Sequence, residues 1–138
     1  MRMTDLDRRP LLGLLFLVLA GILFPFGWLG EQWSAFGDAL GAVFPTGRSH
    51  AIGHAGLFLG LGLLALVSFP RLRARSGLYA ALALAVALGQ EVAQLLYKQR
   101  PLQLDDGRDI AVDLLGAAAA FVLVTVWGWL VMKVTSPG

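Results

Sequence analysis

Glu91 stands inside an apolar run that extends from Leu78 to Leu96, with Gln90 and Gln94 on either side of it, and Asp109 and Asp113 open the next apolar run. A carboxylate at mid-bilayer depth costs about 2.5–3.5 kcal/mol on insertion scales, so such groups line a cavity or face a partner. Carboxylates held in this way act as general acids or bases, or relay protons. His54 is a third group suited to proton transfer, because its ordinary pKa lies near neutrality. Lys98, Arg100 and Arg108 lie between Glu91 and the Asp109–Asp113 pair. Their charges can neutralise the carboxylates or hold an anion.

The elements that position these groups follow from composition. The chain has 138 residues, of which 57% are hydrophobic and 14% charged, with a mean hydropathy of +0.72. Soluble domains carry about 25% charge, so residues 1–138 read as a single all-α membrane domain. The pI of about 9.5 does not signal a nucleic-acid partner, since the Lys and Arg residues cluster at the ends of apolar segments, as membrane topology requires. There is no cysteine, hence no disulfide, no thiolate nucleophile and no Cys-ligated metal.

Four segments, 11–29, 51–69, 78–97 and 110–132, are long enough to cross a bilayer as helices packed in a compact bundle. Pro25 is expected to kink the end of the first, Pro70 to end the second, and Pro101 to follow the third. Arg2, Arg8 and Arg9 before an apolar core give the N-terminus the look of a signal peptide. The apolar run continues to Leu29 without a clear cleavage site, and its length favours a retained anchor. With the N-terminus cytoplasmic, seven basic residues (Arg2, Arg8, Arg9, Arg71, Arg73, Arg75, Lys133) fall inside and four (Arg48, Lys98, Arg100, Arg108) outside, so both termini are placed in the cytoplasm. Trp28, Trp33 and Tyr97 then sit at the outer interface, and Tyr79, Trp127 and Trp129 near the inner one. In the first outer loop, Trp33, Phe36, Leu40 and Phe44 recur at helical spacing. That pattern fits either a short interfacial helix or a loop packed back on the bundle. Gly56 and Gly60, Ala83 and Ala87, and the run from Gly116 to Ala120 offer flat faces, for packing within the chain or for a homodimer.

Depth brings the polar residues together. His54 lies roughly 5 Å and Glu91 roughly 9 Å below the outer interface at 1.5 Å per residue, with Asp109 and Asp113 in the first turn of the fourth span. Glu91 and Gln94 share one helix face, as do Asp109 and Asp113. Each has a plainer role open to it. His54 can bond a carbonyl, Glu91 can pair with Arg100 or Arg108, and Asp109 can cap its helix. Asp113 lies too deep to be a simple cap, and Asp105 and Asp106 read as solvated loop residues.

At these residues the chain resembles the VanZ-like family of small bacterial membrane proteins. The resemblance is carried by His54, Phe58 and Gly60, then Glu91-Val-Ala-Gln94, then Arg100, then Asp109-Ile-Ala-Val-Asp113-Leu-Leu-Gly116, and it covers residues 49–120. The chain departs from the pattern where His50 and Ala51 replace an Asp-Lys pair, and where Asp113 replaces the usual Asn. Its loop from Arg100 to Asp109 is also longer, so either Arg100 or Arg108 matches the family arginine. The resemblance implies a multi-pass protein of the bacterial inner membrane, linked to the cell envelope and to low-level resistance to the glycopeptide teicoplanin.

Together these features suggest an outward-facing polar pocket that binds, and modifies, an anionic lipid or cell-wall precursor headgroup. His54, Glu91 and Asp113 are the catalytic candidates; Gln94, Arg100, Arg108 and Asp109 are the binding candidates. No dense metal-ligand motif is present, and no cofactor is expected. A binding protein that shields the outer leaflet, and a small transporter or proton relay, are the alternatives.

Overall fold

The computed structural model describes residues 5–135, and the side chains of 9–134. Arg2 lies outside this range, and only the backbone of Arg8 falls within it. Every regular element among the described residues is helical: α1 (Asp5–Leu23), α2 (Phe26–Gln32), α3 (Ser34–Val43), α4 (Gly47–Ser68), a 3₁₀ turn (Pro70–Ala74), α5 (Ser76–Lys98) and α6 (Leu104–Thr135). By length and composition α4, α5 and α6 can each cross a membrane. Arg9–Leu23 and Phe26–Gln32 meet the same standard jointly, across a 63° bend.

That bend is sharper than a kink near the end of one helix spanning 11–29. Pro25 lacks an N–H and disfavours helical backbone at Phe24. The helix therefore stops at Leu23, closes with Phe24 N–H donating to Gly21 O (3.2 Å), and restarts beyond the proline. α2 and α3 then cross at two glycines, where a Cβ on Gly37 would stand 2.7 Å from Gly30 O. The loop pattern of Trp33, Phe36, Leu40 and Phe44 does form a helix, α3. Its far end turns back onto the rest of the chain, with the Phe44 ring where a Gly53 Cβ would lie, 2.7 Å away.

α4 opens on a reciprocal cap, in which Ser49 N–H donates to Thr46 Oγ1 (3.1 Å) and Thr46 N–H donates to Ser49 Oγ (3.0 Å). Such a cap satisfies two helix N–H groups at once. It ends at Ser68, before Pro70, as expected. In the turn that follows, Arg73 Nε donates to Leu66 O (3.3 Å) and satisfies one terminal carbonyl.

α4 packs most extensively on α6, and the two run in the same direction, with His54, Ala55 and Gly62 opposite Asp113, Gly116 and Ala120. Gly116 faces the Ala55 backbone carbonyl so closely that a Cβ would collide with it. Gly62 likewise leaves room for the Tyr79 hydroxyl and the Ala120 methyl. Ala83 and Ala87 of α5 are buried, as their small size suggested. The Gly56–Gly60 pair is different: open space surrounds both positions. Phe58, Leu61, Gly62 and Leu66 define the buried side of α4, and the pair lies off that face, so within the chain it makes no close helix contact.

Tyr79 crosses this core and donates its hydroxyl proton to Ala117 O at 2.7 Å. Tyr79→Phe is expected to lower stability by about 1 kcal/mol, the net worth of one buried hydrogen bond. Thermal unfolding in detergent would register the loss.

Candidate functional site

α6 begins at Leu104 rather than near Ile110, and the reason lies in Asp106. Its carboxylate accepts from Gln103 N–H (2.7 Å) and receives both guanidinium nitrogens of Arg100, with Nη1 at 2.9 Å from Oδ2. Two acidic residues in the first turn, Asp105 and Asp106, also suit the positive end of the helix dipole. Asp106 is thus buried and structural, not a solvated loop residue, whereas Asp105 is exposed. Asp109 moves to the second turn and is not the cap. The connection from α5 shortens to residues 99–103, entered through Gln99 in the left-handed region (φ 46°).

The early start of α6 and the close approach at Gly116 bring Asp113 against α4. His54 Nδ1 donates to Asp113 Oδ1 at 3.0 Å. Asp113 is fully buried, and its second oxygen has no partner. A carboxylate on Nδ1 fixes the imidazole tautomer and ring orientation and leaves Nε2 as the proton acceptor. His54 also lines a cavity of about 320 Å³, so Nε2 is the atom offered to a molecule there.

The cavity has a mixed lining. Its apolar residues come from the broken first segment, Gly21 to Gly27, together with Leu40 and Phe44, and from Leu57 of α4. Its polar residues are His50, His54, Gln90, Gln94, Tyr97, Lys98 and Asp109. Lys98 Nζ donates to Gln94 Oε1 (2.8 Å). Tyr97 donates to Glu31 Oε2 (2.9 Å), and Trp28 meets the Tyr97 ring edge-on at 6.5 Å, tying α2 to α5.

Glu91 lies behind this wall. It is 2% exposed, and neither carboxylate oxygen has a hydrogen-bond partner; Gln90 Oε1 is similarly unpaired. His54, Asp106, Asp109 and Asp113 all lie within electrostatic reach of Glu91. Neither arginine pairs with it. Arg100 is committed to Asp106, whose hydrogen bond holds the guanidinium above its ordinary pKa, and Arg108 is exposed, with no ion pair among the described residues. A buried, unpaired polar group costs about 1–3 kcal/mol. Glu91→Leu is therefore expected to raise thermal stability by an amount on the order of 1–3 kcal/mol, measurable as a higher unfolding temperature in detergent.

Of the residues singled out from sequence, the structure gathers His54, Gln94 and Asp109 at the cavity, sets Asp113 behind His54, and leaves Arg100 and Arg108 apart. The cation at the cavity is Lys98. His50 also belongs there, with its ring 5.3 Å from that of Phe44. The i,i+4 spacing of His50 and His54 on one helix face was the available signal. Lys98 was one of the three basic residues read from sequence as able to hold an anion. Among the described residues no three His, Cys, Asp or Glu side chains are arranged to hold a metal ion. No family model, no curated protein and no solved structure matches the chain.

Proposed function

We propose that the chain is a VanZ-like integral membrane protein of the bacterial cell envelope. Its four spans (α1 with α2, then α4, α5 and α6) form one bundle with both termini in the cytoplasm. The cavity then opens toward the outer leaflet, and its function is to bind and modify an amphiphile with an anionic headgroup, such as a lipid or a lipid-linked cell-wall precursor. The observation that carries this reading is the His54–Asp113 pair, with Nδ1 at 3.0 Å from Oδ1, whose histidine lines a cavity that has both apolar and polar side chains in its wall. Apolar chain would lie along Ile22, Leu23 and Phe26, with the headgroup against His54, Gln94 and Lys98.

In this arrangement Lys98, alone of the three basic residues considered for the role, is the counter-charge to the ligand's anion. His54 Nε2 accepts a proton from a hydroxyl or water on the bound headgroup, and Asp113 stabilises the resulting imidazolium, a division of labour familiar from buried His–carboxylate pairs. Asp113 is then the positioning group, not the proton acceptor itself. The link to glycopeptide resistance belongs to the same proposal.

The test is teicoplanin susceptibility of cells that express wild type, His54→Gln or Asp113→Asn at equal membrane abundance. Resistance conferred by wild type and lost in both variants supports the reading; resistance unchanged in both refutes it.

The two unpartnered oxygens of Glu91 favour a second reading, a proton relay through Glu91, Asp113 and His54. Proton flux in liposomes that is abolished by Glu91→Gln would select it over the first.

A further inference from the structure

A second concavity lies away from the cavity just described. It runs between α5 and α6, has a volume of about 530 Å³, and is lined by Tyr79, Ala80, Ala83 and Leu84 on one side and Ala117 and Phe121 on the other. Alanines on both helices create it, because side chains that stop at Cβ leave the space between the helices unfilled. Its one polar hydroxyl apart from Ser76, that of Tyr79, is already spent on Ala117 O. From Ser76 to Leu84 the groove extends about 12 Å at 1.5 Å per residue. One leaflet of a hydrocarbon core about 30 Å thick measures about 15 Å.

The end of the groove at Ser76 adjoins the most basic segment of the chain. Arg71, Arg73 and Arg75 fall within five residues, and the first turn of α5 contains no acidic residue. None of the three arginines forms an ion pair among the described residues. Arg73 is engaged with Leu66 O, while Arg71 and Arg75 are exposed. Guanidinium groups recognise phosphate through paired N–H donors. An apolar channel nearly one leaflet long, whose Ser76 end is one residue from Arg75 and five from Arg71 along the chain, has the charge and shape of a site for a single anionic lipid. A second copy of the chain fits less well. A two-fold axis along the membrane normal, passing through this face, would set two triple-arginine turns at the same level.

We propose that this groove holds an acyl chain of an anionic phospholipid whose phosphate is bound by Arg71 and Arg75. The proposal rests on the membrane-spanning reading of the helices but not on any role for His54 or its cavity.

The test is native mass spectrometry of the detergent-purified chain with added phosphatidylglycerol or phosphatidylcholine. Wild type is expected to retain phosphatidylglycerol about tenfold better, a difference of about 1.4 kcal/mol. Arg71→Gln with Arg75→Gln should abolish that preference. Ala118→Phe, which fills the groove from an exposed position, should abolish retention itself. Arg48→Gln, at an exposed arginine that lines neither cavity, should leave both the retention and the preference unchanged.

Equal retention of the two lipids overturns the proposal. So does a preference that survives the double arginine substitution, retention that survives Ala118→Phe, or a preference lost with Arg48→Gln, and so does a dimer that Ala118→Phe dissociates. Alkaline extraction of membranes separates the two levels of failure. A chain that is released fails the membrane reading and the groove with it, whereas one that stays embedded without lipid preference fails the groove alone.

Discussion

Gly116→Val is expected to cost about 3 kcal/mol or more, a large share of the stability of the fold. Small domains are stable by about 5–15 kcal/mol in all, and overpacking a close contact typically costs about 1–3 kcal/mol. This position is worse than a typical one, because the obstacle is the Ala55 main-chain carbonyl and its neighbouring backbone atoms. No rotamer change relieves that clash, so α4 and α6 must separate. Valine adds a side chain restricted at χ1 in a helix. A Cβ added to Gly128 in the same helix would meet nothing within 4 Å, and Gly128→Ala should be neutral or slightly stabilising, given the helix penalty of glycine. Size-exclusion profiles and unfolding temperatures of the two variants in detergent give the comparison. Equal behaviour would mean that α4 and α6 are not in contact at Gly116.

The second large effect concerns function. His54→Gln and Asp113→Asn should each lower activity by about 10²–10⁴-fold, the usual worth of a positioned general base. The first removes the proton acceptor. The second keeps the shape of the pair but replaces a carboxylate with an amide that can donate to Nδ1. The proton then moves to Nε2, and the imidazole presents the wrong face to the cavity. The expected signature is loss of function at unchanged expression and fold, read as loss of teicoplanin resistance in cells and, with a purified substrate, as a fall in turnover. Gln94→Ala should be milder, since Gln94 donates or accepts only at the headgroup end beside Lys98. If both His54→Gln and Asp113→Asn keep full function, the pair is structural.

Much of this site was legible in the sequence. Counting residues from each span end put His54 and Asp113 at a common depth, and the structure joins them. The i,i+4 spacing of Asp109 and Asp113 set both toward the same side of the chain. What sequence could not supply were partners chosen by tertiary contact. Arg100 had acidic neighbours in every direction along the loop, and only the fold of residues 99–106 shows that it takes Asp106. Glu91 was equally compatible with an ion pair or with isolation, because the answer depended on where the arginines went. The Gly56–Gly60 pair had the right spacing for close packing but the wrong phase relative to Phe58 and Gly62. Pro25 announced a disturbance but not its size, 63°.

The break between Leu23 and Phe26 also bears on water. A continuous helix satisfies its own peptide groups, so its surface toward a neighbour is dry. Interrupting it frees main-chain polar groups, and at membrane depth exposed backbone of this kind is tolerated only inside protein or along a hydrated space. Gly21 to Gly27 line the cavity, so on the proposed membrane-spanning arrangement the cavity would be a hydrated inlet rather than a gap filled by lipid tails. A ligand arriving there would displace water from peptide groups and from His54. Its affinity would follow from how well its own polar atoms replace that water, more than from the apolar area it buries.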